Sequence, residues 1–329
     1  MLNQTAIPLR TLGKTELEIS ALGLGCWQFS KGSGMVGRFW PVLSQDDIRN
    51  IVKTSLQGGI NWFDTAEVYG KGQSEEALAE ALVMLGEEAK DALVATKWWP
   101  LFRSASSITA TIDNRIHALK GRTIDLYQIH QPYALSNVRS QLIAMASLIK
   151  EGKIRYAGVS NFNESKMREA HTVLQEFGYP LASNQVKYSL LDRRIEKNGI
   201  MDAAKELGIT IIAYSPLEQG ILSGKFHKNP ELVKKITGPR KYLSYFKPTG
   251  LAKTKPLIDL LDKLALEYNV TTSQIALNWL IHFHGDTVVA IPGASKIRHA
   301  EENIGTLGFK LSEQHLNEID RMSKQVTAN

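Results

Sequence analysis

From residue 22 to residue 291 the chain repeats one pattern: a short apolar run, a turn, then a stretch with helical periodicity. The runs fall at 22–26, 60–63, 93–96, 125–129, 154–159, 183–188, 210–213 and 288–291. The helical stretches between them fall at 44–57, 74–85, 107–119, 137–150, 164–177, 200–207, 255–268 and 272–283. Two more, 296–307 and 312–322, close the chain. Strands joined by helices pair in parallel through right-handed crossovers. Eight such units predict an α/β fold, a closed (β/α)8 barrel rather than an open sheet.

An open doubly wound sheet would carry a glycine fingerprint at its first turn. The chain has Gly32-Ser33-Gly34-Met35-Val36-Gly37, formally G-x-G-x-x-G. Arg38-Phe39-Trp40-Pro41 separates it from the next helix, whose cap is Ser44. These glycines cannot deliver a helix N-terminus to a pyrophosphate, so 32–40 reads as a flexible loop. A short hairpin over 9–13 and 17–22, turning at Gly13-Lys14, precedes the barrel. No linker or composition shift divides the chain, which reads as one domain, 1–329.

Hydrophobic content of 43% and charged content of 22% are those of a soluble globular protein. The net charge of +6 is dispersed, which suits an anionic small ligand and argues against a nucleic-acid partner. Cys26 is the sole cysteine, so no intrachain disulfide can form and a reducing compartment fits. Residues 1–10 lack an apolar signal core, and no apolar run approaches the roughly 20 residues of a membrane span. We expect a cytoplasmic protein with no membrane partner. Its oligomeric state is not coded in any readable pattern.

In a barrel of this kind, function sits at the C-terminal strand ends. Those ends carry Asp64, Lys97, His130, Ser160-Asn161, Gln185 and Tyr214. Tyr69 follows Asp64 within the stretch 59–70. Singly, each has a structural reading: Asp64 as a helix cap, Tyr69 as packing, His130 as a strand cap, Lys97 snorkelling beside Trp98 and Trp99. Together they suggest carbonyl reduction. A carbonyl that accepts hydride becomes an alkoxide and needs a proton. Tyr69 can give one, although a free phenol has a pKa of about 10. Lys97 would lower that pKa, Asp64 would hold Lys97, and His130 would polarise the substrate oxygen or relay the proton. Trp27, Trp98, Trp99, Phe102 and Tyr133 are expected to line an aromatic substrate pocket, the alternative being that some only pack against helices.

These motifs resemble the aldo-keto reductases over nearly the whole chain. They are the stretch 59–70 with Asp64 and Tyr69, Thr96-Lys97, Gln128-Ile129-His130, Gly158-Val159-Ser160-Asn161-Phe162, Asn184-Gln185, Tyr214-Ser215-Pro216-Leu217 and Ile291-Pro292-Gly293-Ala294-Ser295-Lys296. The resemblance implies a barrel that binds NADPH/NADP+ without a Rossmann fold, with Asp64, Tyr69, Lys97 and His130 as its tetrad. It also implies that Ser160, Asn161 and Gln185 hold the nicotinamide carboxamide while Tyr214 stacks on the ring. Residues 215–225 look like the branch that includes bacterial reductases and the potassium-channel β subunits, where this loop grips the pyrophosphate. Here the loop offers Ser215, Pro216, Leu217, Gln219, Gly220, Ser223 and Lys225. Lys225, Arg240, Ser295, Lys296 and His299 are the expected 2′-phosphate donors, with Glu302 and Asn303 on the adenine. His299 stands where the mammalian branch carries Arg. Cys26, Trp27 and Gly293 complete the expected cofactor contacts.

The sequence therefore points to an NADPH-dependent reductase of small aldehydes or ketones. A cofactor-sensing regulatory subunit with slight turnover is the alternative. A metal-dependent barrel hydrolase would need a ligand cluster. His282-Phe283-His284 lacks a carboxylate at ligand spacing, and no metal is expected.

Overall fold

The computed structural model describes residues 7–34, 40–236 and 242–328. Residues 35–39 of the glycine-rich loop and the expected phosphate donor Arg240 lie outside the described residues. Strands β1 (Leu9–Thr11) and β2 (Glu18–Ser20) form an antiparallel hairpin. Eight parallel strands follow, each paired with the next in chain order: β3 (Leu24–Gly25), β4 (Trp62–Asp64), β5 (Leu93–Trp98), β6 (Ile124–Ile129), β7 (Ile154–Ser160), β8 (Leu181–Lys187), β9 (Thr210–Tyr214) and β10 (Val288–Ala290). The last meets the first: Gly23 N–H donates to Ala290 O at 2.9 Å and Gly25 N–H to Pro292 O at 3.1 Å.

Helices α1 (Gln45–Gln57), α2 (Gln73–Leu85), α3 (Ser106–Ala118), α4 (Val138–Lys150), α5 (Glu164–Gln175) and α6 (Ile200–Leu207) separate strands β3 to β9. Their starts are chemically marked. Ser44 and Asp47 form a capping box on α1, and Asn137 and Asn163 cap α4 and α5. The segment between β9 and the helical stretch expected at 255–268 is partly helical. It contains the one-turn α7 (Lys225–Lys228), and α8 (Pro248–Glu267) starts well before residue 255. Pro248 suits a first helical position, where its missing N–H costs no hydrogen bond. Then come α9 (Thr272–His282), α10 (Ile297–Gly305) and α11 (Glu313–Thr327).

Side chains along a strand alternate between faces, and here the alternation sorts two cores. Trp62, Ala95, Leu126, Ile212 and Val289 pack inside the barrel with Leu12, Leu17 and Ile19 of the hairpin, which plugs one end. Their chain neighbours Phe63, Val94, Tyr127, Ile211 and Val288 belong to the core between sheet and helices. Two residues further along the inward rows stand Asp64, Lys97, Gln128 and Tyr214. The hydrophobic floor of the barrel therefore carries the polar site directly above it.

Candidate active site

Asp64 ends β4 with both carboxylate oxygens occupied. Lys97 Nζ donates to Oδ2 at 2.5 Å and to Thr65 O at 2.8 Å. Gln185 and Gln128 donate to Oδ1 at 2.9 Å and 3.2 Å. Lys97 and Asp64 are both buried, so each charge depends on the other to be tolerated. Burial lowers the Lys97 ammonium from its ordinary value, and Asp64 works against that.

The segment after Asp64 turns back over this pair. Gly70 closes the turn at φ 65°, and a side chain there would run into the Ser30 carbonyl. Thr65 Oγ1 donates to Ser74 Oγ at 2.8 Å, and Ser74 donates to Cys26 O at 2.6 Å, which ties the turn to β3. The Tyr69 ring is thereby set with Lys97 Nζ 5.1 Å from its centroid and the His130 ring 5.7 Å away, edge-on. Burial pushes the Tyr69 phenol well up, and Asp64 and Cys26 push the same way. The expected lowering by Lys97 does not prevail over burial. Burial, then Lys97, hold His130 well below the ordinary imidazole value, so the ring is neutral. Its Nδ1 is buried without a partner.

A cavity of about 660 Å³ opens over these groups. Asp64, Tyr69 and His130 line its floor, and Trp27, Trp40 and Trp99 line one side. Trp27 stacks on Tyr69 at 6.0 Å, Trp40 meets Trp27 edge-on at 5.9 Å, and Trp99 meets His130 edge-on at 5.1 Å. The Trp99 backbone is clamped. Its N–H donates to Glu67 Oε2 at 3.3 Å, its carbonyl accepts from Arg103 at 3.1 Å, and Arg103 also pairs with Glu67.

The other arm of the cavity runs past Ser160, Asn161, Gln185 and Tyr214 to the loop after β9. Asn161 is held at φ 60°. Its amide donates to His130 O at 3.2 Å and accepts from Tyr214 OH at 3.0 Å. The loop is left-handed at Ser215, Glu218, Gln219 and Gly220, with φ of 52°, 45°, 56° and 95°. For the three that are not glycine this costs roughly 1–3 kcal/mol each, a pattern that concentrates at functional sites. Ser223, Lys225, Ser295, His299, Glu302 and Asn303 line the far end. Ser295 N–H donates to His299 Nδ1 at 3.3 Å, and burial lowers the imidazole from its ordinary value.

Cys26, Pro216, Leu217 and Gly293 also line the cavity, as expected. Four expectations land elsewhere. Trp98 is fully buried on the outer face of β5. With Lys97 facing inward its neighbour must face the helices, and its indole donates to Ser107 Oγ at 3.1 Å. Phe102 and Tyr133 are 81% and 48% exposed and do not line the cavity. Tyr133 reaches it only through its edge contact with Trp99 at 6.3 Å. Lys296 is exposed at the start of α10 and likewise does not line the cavity. The sequence reading missed Gln28, Trp40, Gln128 and Arg298. Inward parity two residues past Leu126 was a readable signal for Gln128, and Arg298 stands next to the expected His299. His282 and His284 end α9 and its following turn, and His284 bonds Glu196 at 3.3 Å. Among the described residues no group of three or more His, Cys, Asp or Glu could hold a metal.

The profile of the Aldo/keto reductase family matches residues 21–324. An uncharacterized oxidoreductase of Mycobacterium tuberculosis is 37% identical over 302 residues, 90% of this chain and 87% of the relative. The glycerol dehydrogenase of Gluconobacter oxydans superposes with a TM-score of 0.83 at 27% identity, covering 98% of this chain and 97% of that one. An aldo-keto reductase of Klebsiella pneumoniae, solved in complex with NADPH, superposes at 0.72 and 23% identity, covering 96% and 95%. The buried carboxylate–ammonium pair, the phenol turned over it and the barrel that carries them thus sit in a chain that belongs to the aldo/keto reductase family.

Proposed function

We propose that the protein reduces aldehydes or ketones to alcohols with NADPH, with Tyr69 giving the proton. One observation carries the reading: Tyr69 and His130 face one cavity directly above a buried Lys97–Asp64 pair. The cavity suits a nicotinamide dinucleotide. Buried polar atoms wait in it without partners, Gln28 Oε1 and Asn303 Nδ2 among them. The left-handed loop 215–220 shapes the backbone to receive anionic oxygens. Ser160, Asn161 and Gln185 would hold the carboxamide, Tyr214 the ring face, and Lys225, Ser295, Arg298 and His299 the phosphate end.

When bound, the reduced nicotinamide supplies the hydride. The residues do the rest. The raised phenol of Tyr69 keeps its proton at neutral pH, the state a donor needs. As that proton leaves, the Lys97 ammonium near the ring stabilises the phenolate. Asp64, fixed by two glutamines and Lys97, keeps the lysine charged and in place. The neutral His130 has one N–H to give, and on Nε2 it would polarise the carbonyl oxygen, with Nδ1 buried and unpartnered. Trp27, Trp40 and Trp99 exclude water and favour substrates with an aromatic or apolar body.

The regulatory reading predicts tight NADPH binding with slight turnover. A complete Asp64, Tyr69, Lys97 and His130 set argues for turnover instead. The test is the loss of reduced-nicotinamide absorbance with a panel of aldehydes and ketones. Tight binding without turnover on any of them would leave the regulatory reading standing.

A further inference from the structure

Glu218 turns away from its neighbours in the loop after β9. Ser215, Gln219, Gly220 and Ser223 line the cavity, whereas the Glu218 side chain is 3% exposed and buried in the wall behind. There Oε1 accepts from Lys187 Nζ at 3.0 Å and from Ser189 Oγ at 3.1 Å. Lys187 is the last residue of β8, two positions past Gln185. Ser189 also accepts from the N–H groups of Leu191 and Asp192 at 3.1 Å each. Asp192 lies 3.6 Å from Lys187 and is gripped by Arg194 at 2.7 and 2.8 Å. One carboxylate thus fastens the loop to a braced turn that follows the neighbouring strand β8.

The backbone at this point needs fastening. Glu218 and Gln219 are consecutive residues with a side chain in the left-handed region, and both would relax out of it if released. Burying a carboxylate is itself unfavourable unless it is paired. Burial pushes the Glu218 acid up, and Lys187 and Ser189 act to keep it ionised. The anchor and the strained loop therefore depend on each other.

We propose that Glu218 is a latch, a positioning residue that holds the loop in its dinucleotide-binding shape before the dinucleotide arrives. The inference rests on the reading that this loop binds the cofactor. Without the latch the competent loop is only one of several conformations, and the apparent affinity falls by the fraction lost. The groove of the wild-type protein is preformed.

The test uses the full chain and NADPH, with binding followed by quenching of protein fluorescence and by stopped flow. Glu218→Gln keeps the shape and removes the charge. Its Kd and its KM for NADPH rise together by about tenfold, the effect of one charge-assisted hydrogen bond. The kcat falls by less than about threefold, and association gains a slow phase that saturates with NADPH, the signature of a loop that must first find its shape. The double variant Lys187→Met/Glu218→Gln is no worse than Glu218→Gln, because both break the same contact. A folded Glu218→Gln protein with wild-type Kd overturns the latch, as does a double variant whose loss is the product of the single losses. If Glu218→Gln does not fold, Ser189→Ala removes the hydroxyl that donates to Glu218 and braces the turn, and a wild-type Kd there overturns the latch equally. A wild-type protein that binds neither NADPH nor NADH overturns the functional reading and the latch with it. Normal wild-type binding with unaltered variants overturns the latch alone.

Discussion

Gln185 on β8 donates to Asp64 on β4 at 2.9 Å, although three strands stand between them in the sheet. A contact across the ring is possible only because the sheet closes and its interior is solid. The same amide nitrogen lies 3.3 Å from Gln128 Oε1, so three inward-facing polar side chains share one network. The residue expected to hold the carboxamide is thus bonded to the carboxylate that fixes Lys97. Placement of the cofactor and placement of the acid share a single support.

The first prediction concerns the buried pair. Lys97→Met strands the Asp64 carboxylate without its cation, at a cost of about 3–5 kcal/mol in stability. Turnover falls by about 10²–10⁴-fold, in kcat rather than in KM. Adding Asp64→Asn recovers most of the stability and none of the turnover. Urea melts and steady-state kinetics on the three proteins decide it. A double variant no more stable than Lys97→Met alone would show that the pair is not what makes the site costly.

Tyr69→Phe removes the proton donor and keeps the ring. The ring still stacks on Trp27, so NADPH should bind within a few-fold of wild type while reduction falls by about 10²–10⁴-fold. Near wild-type turnover in the purified variant would remove Tyr69 from the mechanism.

The repeating apolar runs made the barrel legible because helix and strand periods differ and each run is short. The inward rows were less legible. A run such as Leu93 to Trp98 is apolar on both faces in its first half, so its parity shows only once Lys97 is known to face inward. That is why Trp98 read as a pocket residue and is instead packed against α3. Trp40 and Arg298 were hidden for another reason. They sit on loop and helix surfaces whose approach to the cavity depends on how distant elements pack. Glu218 was hidden by its neighbours: in Leu217-Glu218-Gln219-Gly220 nothing marks which side chain turns into the wall.

Glu75 gives a pH signature. It is fully buried, accepts from Thr96 Oγ1 at 2.6 Å and lies 3.3 Å from Arg115. Burial still pushes its acid from 4.5 to about 7. The native state therefore holds a proton that the unfolded chain has released. Its stability contribution is present in full below the ordinary carboxylate value and is lost as pH rises through about 7, by about 3 kcal/mol in all. Glu75→Gln should flatten the decline in urea midpoint between mildly acidic and mildly alkaline pH. Parallel profiles for the two proteins would refute this.

Trp99 should set substrate preference. Its indole stands 5.1 Å from His130, and Glu67 and Arg103 fix its backbone. Trp99→Ala should raise KM for aromatic aldehydes by about tenfold, the scale of one large apolar contact, with a smaller change for short aliphatic ones. A uniform rise across the panel, or small charged sugars as the best substrates of the wild type, would contradict an aromatic wall.

The last prediction is a preference for NADPH over NADH. The two differ by a 2′-phosphate, an anion with strong acceptor oxygens that Arg and Lys match best. At the far end of the cavity Lys225 and Arg298 flank His299, and burial first, then these cations, lower its imidazole. His299 is neutral and spends Nδ1 on the Ser295 N–H, so it offers the phosphate at most one neutral donor. Among the described residues that line this end, the charge comes from Lys225 and Arg298. Arg298, one position before the site where the mammalian branch carries Arg, would take that role here. A charge-assisted contact is worth about 1.5–3 kcal/mol, so the two together give more than about a hundredfold in kcat/KM. Glu302 lines the same end and could instead receive a ribose diol, as acidic residues do in NAD-dependent sites. The two possibilities part on one measurement. Lys225→Ala/Arg298→Ala should raise KM for NADPH steeply and leave KM for NADH nearly unchanged. Equal kcat/KM for the two cofactors in the wild type, or equal losses for both in the double variant, would take the phosphate away from these residues.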